Sequence, residues 1–312
     1  MKDNLTVLIP TRNRSEYLDN LLLSLSTQTY PHRINCVISD NNSTDETYKI
    51  VNKWKKSKKL SINYIKNEHD MSPVENWKIL VDIADTKYSK FIFDDDWIEN
   101  NCIEKMIELI EMENSDIVIS NFNSILVTNN KSSQIKKNYL NMPSKFLTSH
   151  DILDFFLLNG KKINVSPTGA LYKTNLMKEA FYFSLYKESS CTTLGIGNDL
   201  IMNFYSLFDG KKVYYTNESL VNCTAHKDSI TVKTNDKLKY YCYLRSLLLL
   251  IKNFSLNLNK KQMNALSLKI FIYKLRDFFF KDHKNLINND DINFKLSIST
   301  IISGLMNSFR NN

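Results

Sequence analysis

Over its first 120 residues the chain alternates between short β-branched runs and longer amphipathic stretches, a pattern that admits few folds. Leu5 to Pro10, Ile34 to Ser39, Leu60 to Ile65, Tyr88 to Phe93 and Asp116 to Ser120 read as strands. Between them, Tyr17 to Thr27, Thr44 to Lys56, Pro73 to Ala84 and Cys102 to Met112 carry the apolar spacing of helices. Ser43 or Thr44 is placed to cap the second helix, and Pro73 sits in the first turn of the third. Strands joined by single helices form βαβ units, which predicts an α/β fold on a mostly parallel sheet flanked by helices. From Asn121 to about Leu140 the pattern loosens into a hairpin or a mobile loop. A second α/β stretch follows, with helices near Ser149 to Leu158 and Asp199 to Phe208, and strands near Gly169 to Tyr172 and Lys212 to Tyr215. Beyond Asn235 the chain turns helical, over Leu238 to Phe254, Lys260 to Phe280 and Leu296 to Phe309. The expected division is therefore a domain over 1–234 and a helical C-terminal appendage over 235–312.

Composition narrows the chemistry. All six glycines lie at or beyond Gly160, so the first 159 residues hold none. Glycine-rich phosphate loops need clustered glycines after the first strand, so Rossmann dinucleotide enzymes, P-loop ATPases and kinases are poor fits. The chain has 41 Lys+Arg and 33 Asp+Glu, for a net charge of +8. From Asn235 onward stand ten Lys and three Arg against five Asp, which leaves 28 of each sign before it. The basic character thus belongs to the C-terminal quarter. Five cysteines, odd in number and without C-x-x-C spacing, predict reduced thiols in a cytoplasmic protein. No signal-peptide pattern opens the chain, and no apolar run approaches the ~20 residues of a spanning helix.

In open parallel sheets ligands bind beyond the carboxyl ends of the strands. The first strand ends in Pro10-Thr11-Arg12-Asn13-Arg14, the second in Ser39-Asp40-Asn41-Asn42-Ser43-Thr44-Asp45, the fourth in Phe93-Asp94-Asp95-Asp96-Trp97. Three adjacent aspartates resist joint ionisation, and a divalent cation relieves that cost. Hard oxygen ligands suit Mn²⁺ or Mg²⁺, which can neutralise a diphosphate leaving group as a Lewis acid. An isolated Asp-Asp-Asp is more often a solvated acidic turn. Its place after an apolar strand, at the ligand edge of the sheet, favours the metal.

These three strand ends resemble, in order and spacing, the P-T-x-N-R, D-D-G-S-T-D-x-T and D-x-D elements of family 2 glycosyltransferases with the GT-A fold. The likeness is strong from about Leu5 to Ser120 and weaker to about Thr231. It is closest to the branch containing abequosyl- and related O-antigen sugar transferases. It implies a Rossmann-like GT-A sheet with a donor half over about 1–120 and an acceptor half over about 121–234. It also implies a nucleotide-diphosphate sugar as donor, UDP-sugar favoured, and a glycan or lipid-linked acceptor. Carried over by residue, Pro10, Thr11, Arg12, Asn13 and Arg14 line the donor site and Asp40 reads base or ribose. Asn42 stands where the family has glycine, and is the non-glycine residue that best accepts left-handed backbone. Asn76 flanks the diphosphate. Asp96 is the expected direct metal ligand, Asp94 lies toward the sugar or ribose as the second metal residue, and Asp95 lies beside the donor. His226, in the H-x-x-S-I/V-T segment, completes the metal site or touches the diphosphate.

Further along, Gly195-Ile196-Gly197-Asn198-Asp199-Leu200 stands where the family has an E-D element opening a helix. The resemblance implies that Asp199 is the base for the acceptor hydroxyl, although a helix-opening aspartate is also an ordinary cap. Trp97, Tyr172 and Asn198 are the candidate acceptor contacts. The basic, aromatic tail suits an anionic membrane surface, a cover for the catalytic domain, or contact with a second copy; no motif points to nucleic acid. The leading reading is an inverting, metal-dependent sugar transfer in surface polysaccharide or glycoconjugate synthesis, peripheral to the inner face of a membrane. A sugar nucleotidyltransferase or a non-catalytic nucleotide-sugar-binding protein on the same sheet are the alternatives.

Overall fold

The computed structural model describes residues 4–128, 131–136, 140, 142–158, 166–185 and 193–280. The expected helix over Leu296 to Phe309, together with Cys191 and His283, lies outside them. Strands β1 (Leu5–Thr11), β2 (Asn35–Asp40), β3 (Ser61–Lys66) and β4 (Tyr88–Phe91) alternate with helices α1 (Ser15–Ser26), α2 (Thr47–Ser57) and α3 (Pro73–Ile83). Then come β5 (Trp97–Ile98), α4 (Cys102–Met112), β6 (Ile117–Thr128), β7 (Lys131–Lys136), β8 (Lys145–Phe146) and α5 (Ser149–Leu157). A 3-10 turn at Pro167–Gly169 leads into β9 (Ala170–Lys173), α6 (Thr174–Ser184), α7 (Asn198–Phe208) and β10 (Val213–Ala225). Helices α8 (Ile230–Lys233), α9 (Asp236–Asn253) and α10 (Lys260–Phe280) follow.

The strands make one sheet in the order β3-β2-β1-β4-β9-β6-β10-β5, with β7 on β6 and β8 on β10. The β3-β2-β1-β4 run and the β6-β10 pair are parallel, while β9 enters antiparallel between β4 and β6. Within the loosened stretch after Asn121, β6 and β7 pair antiparallel. Alternation along β1 explains the two cores: Leu5, Val7 and Ile9 pack toward α1, α2 and α4, and Leu8 packs toward α3 on the other face. Helix α3 begins with a capping box, Ser72 accepting from the Glu75 N–H while Glu75 accepts from the Ser72 N–H. The cap of α2 falls later than expected: Asp45 accepts from the Thr47 N–H at 3.1 Å, and Thr44 instead donates its N–H to Asn13.

The basic tail begins as core. Tyr241, Tyr243, Leu244, Leu247, Leu248, Leu250 and Ile251 of α9 join the cluster containing Leu200, Ile201 and Phe204 of α7. Helix α9 thus covers α7, and Arg245 is itself buried. Side chains from Tyr273 through Lys281 lie outside the described ones. Cys242 is disulfide-bonded, which corrects the expectation of reduced thiols throughout; Cys36, Cys102 and Cys223 are free. No helix among the described residues is long and apolar enough to cross a membrane.

Candidate active site

The carboxyl ends of β1, β4 and β10 converge on Asp94, Asp95 and Asp96. Thr11, the last residue of β1, donates its hydroxyl to Asp94 Oδ2 at 2.8 Å. Arg14, one turn beyond, lays one guanidinium nitrogen on Asp94 Oδ1 at 2.9 Å and on Asp95 Oδ2 at 3.1 Å. Its other terminal nitrogen donates to the carbonyl of Asp228 at 3.1 Å. Contacts between residues some 80 positions apart thus clamp the β1 loop to the aspartate run.

Asp96 is held differently. Oδ2 accepts from the Thr168 hydroxyl at 2.8 Å and Oδ1 from the Thr224 N–H at 3.0 Å. Both donors are uncharged, and the side chain is buried. Burial, followed by the neighbouring charge of Asp95, drives its pKa well above the carboxylate range. Asp94 is also raised by burial, with Arg14 opposing. Thr168 is placed by Lys90, a fully buried lysine in β4, which donates to the Thr168 carbonyl at 2.6 Å and to that of Ala170 at 3.3 Å.

His226 lies 2.9 Å from Asp95 through Nε2 and stacks on Tyr17 with ring centroids 4.6 Å apart. Its Nδ1 accepts from the Asp228 N–H at 3.2 Å, so the ring hydrogen sits on Nε2 and is donated to Asp95. Both nitrogens are engaged. In this arrangement the His226 ring joins Asp95 to the Asp228 turn. Among the described residues no three His, Cys, Asp or Glu side chains converge as a ready metal cage. The donor set nevertheless fits a divalent ion: Asp96 is a buried carboxylate whose partners, the Thr168 hydroxyl, the Thr224 N–H and the Cys223 thiol, are all uncharged. Such ions are commonly bound through one or two carboxylates, with phosphates and water completing the shell.

On the β2 side, Asp40 is almost fully buried; Oδ1 accepts from the Ser43 N–H at 2.8 Å and Oδ2 from the Tyr64 hydroxyl. Asn42 has φ +56° and Asn13 φ +51°, the left-handed geometry that asparagine tolerates. Asn13 Oδ1 takes the Thr44 N–H at 2.8 Å, which fastens the β1 loop to the β2 loop. Asn76 is buried in a network, accepting from Ser39 and Asn67 and donating to the Ser39 carbonyl. Pro10 is buried in β1, while Arg12 is exposed and paired with Asp70.

The acceptor candidates separate. Trp97 is half-buried in β5, paired with Asn222 of β10. Tyr172 is in the core, with no exposed surface and its hydroxyl on Asn203 at 2.6 Å, which removes it from any acceptor-facing wall. Asn198 is buried too, donating to Ser184 at 3.0 Å. Asp199 opens α7, which packs against the Pro167–Gly169 turn bearing Thr168. Its Oδ1 accepts the N–H groups of Gly197 at 3.0 Å and Leu200 at 2.8 Å, and its Oδ2 the Tyr243 hydroxyl at 2.6 Å. Burial outweighs the hydrogen bonds to the carboxylate and pushes its pKa up to about 7. Lys90, Thr168, Thr224 and Tyr243 were not legible as site residues. Only Lys90 left a signal, a lysine in the middle of an apolar strand.

The chain is 27% identical over 236 residues to the glycosyltransferase GlyA of Streptococcus pneumoniae serotype 4, covering 73% of this chain and 32% of that protein. It is 24% identical over 214 residues to the poly(ribitol-phosphate) β-N-acetylglucosaminyltransferase TarS of Staphylococcus aureus, covering 67% and 35%. The chain therefore spans about a third of the length of these relatives. A shorter match, 36% over 89 residues, covers 28% of this chain and 27% of the abequosyltransferase RfbV of Salmonella typhimurium. In structure it resembles S. aureus TarS in complex with UDP-GlcNAc, with a TM-score of 0.65 at 19% identity over 90% of this chain and 77% of that one. That likeness establishes the shared α/β fold. Residues 6–181, more than half of the chain, match the model of the family described as Glycosyl transferase family 2. The chain belongs to glycosyl transferase family 2.

Proposed function

We propose that the chain transfers a sugar from a nucleotide-diphosphate donor, UDP-sugar favoured, to a hydroxyl of a glycan or lipid-linked acceptor, with inversion. Asp96 carries this reading: a buried carboxylate on uncharged donors at the carboxyl edge of the sheet. Support for UDP comes from the TarS complexes, which hold UDP-GlcNAc and UDP. Support for a surface glycan as acceptor comes from the names of the bacterial relatives. A divalent ion on Asp96, with Asp94 second, would neutralise the diphosphate and ease its departure.

The chain's own groups do the rest. Arg14 and the β1 loop fix the geometry of the aspartate run, and the paired Asn13 and Asn42 turns shape the donor loop. Asp199 takes the acceptor proton as that oxygen bonds to the anomeric carbon and the bond to the diphosphate oxygen breaks on the opposite face. A base whose pKa is about 7 is matched to that role near neutral pH. Asp96→Asn tests the reading. Stabilisation of the wild-type protein by UDP with Mn²⁺ in a thermal melt, lost in the variant, is the expected result. Equal stabilisation of both proteins would remove Asp96 from donor binding.

A further inference from the structure

The two carboxylate oxygens of Asp199 are held by different kinds of donor. Oδ1 accepts two backbone N–H groups, from Gly197 and Leu200, and is saturated. Oδ2 accepts the Tyr243 hydroxyl at 2.6 Å, its one side-chain donor among the described residues. Tyr243 comes from α9, 44 residues downstream, in the region whose sequence stands out only for its charge.

The approach of α9 is built into the backbone. Gly197 has φ +87°, and a Cβ there would meet Ser246 Oγ at 2.5 Å and the Cys242 carbonyl at 2.8 Å. Only a residue without a side chain lets α9 lie this close to the start of α7. Among the described residues, Tyr243 of α9 and Tyr172 of β9 act on Asp199, and α6 faces the turn with the neutral Ser184 hydroxyl, on Asn198.

We propose that Tyr243 is a positioning residue for the transfer reaction: it fixes Oδ2 of Asp199 as the proton-accepting atom and favours its ionised form. This rests on the base role given to Asp199 above, and it makes α9 part of the reaction centre. A hydroxyl that donates to a carboxylate stabilises the charged state, so its loss raises the pH at which the proton leaves.

The test uses full-length protein labelled with aspartate carrying ¹³C at the side-chain carboxyl, titrated by NMR. The Asp199 resonance is the one missing from Asp199→Asn. Wild type should titrate near pH 7, and Tyr243→Phe, which keeps the ring, about 1–2 pH units higher. Circular dichroism checks that the variant folds, and Tyr243→Leu should move the midpoint the same way. An unchanged midpoint in folded Tyr243→Phe overturns the inference, whatever Asp199→Asn does to transfer. A raised midpoint together with full transfer by Asp199→Asn upholds the contact and overturns the base assignment instead.

Discussion

Replacing Asp199 with asparagine should abolish transfer and, above neutral pH, stabilise the fold. Asp199 is 9% exposed, and burial raises the pKa of its carboxyl from the ordinary 3.8 to about 7. Below 3.8 the group is protonated in both folded and unfolded chains and contributes nothing to the pH dependence. As pH rises, the unfolded chain ionises first, so native stability falls progressively until the folded group also ionises near 7. At 1.36 kcal/mol per pH unit the full loss is about 4 kcal/mol, an upper bound of which about 3 kcal/mol falls between pH 5 and pH 8.5. Asparagine has the same shape and no charge. Its oxygen can keep the Gly197 and Leu200 N–H bonds, and its amide can donate to the Tyr243 oxygen, which turns from donor to acceptor. Urea unfolding of both proteins at the two pH values reads the effect. The variant should gain on the wild type by a few kcal/mol between pH 5 and pH 8.5. A stability difference that does not change with pH would refute the claim that this carboxylate is ionised at a cost.

Three further outcomes follow from the same geometry. Gly197→Ala puts a Cβ at φ +87° against the Cys242 carbonyl, and should cost about 2 kcal/mol or more in urea unfolding. Tyr172→Phe leaves Asn203 Oδ1 without its buried donor and should cost about 1–3 kcal/mol while leaving nucleotide-dependent stabilisation unchanged, as a core position requires. Arg14→Met removes the cation shared by Asp94 and Asp95, and should lower the midpoint of thermal unfolding at pH 8 more than at pH 5, where protonation of Asp94 relieves the unpaired charge.

The parts of the site that were legible in sequence are those where chemistry and strand end are contiguous. Pro10 to Arg14, Asp40 to Asp45 and Asp94 to Asp96 each follow an apolar run, and βαβ connection brings such ends to one edge. The illegible parts depend on strand order and packing. Nothing local indicates that Ala170–Lys173 enters antiparallel between β4 and β6, and that entry brings Thr168 to Asp96. Tyr172 was misplaced because its exposure is decided by α7, through Asn203. His226 was recognised as a site residue, but the Asp228 N–H that fixes its tautomer is a property of the folded turn. Helix α9 was hidden by its composition: lysines set the net charge of the segment, while its run from Tyr241 to Ile251 is buried.

The most direct test of the central claim is a screen of UDP-, GDP-, CDP- and dTDP-sugars with Mn²⁺ for release of the nucleoside diphosphate by the full-length protein. One donor class, with UDP-sugars first, should be turned over by the wild type and not by Asp96→Asn. Turnover of none of them, or release of pyrophosphate from a nucleoside triphosphate and a sugar phosphate instead, would contradict a sugar transferase built on these strand ends.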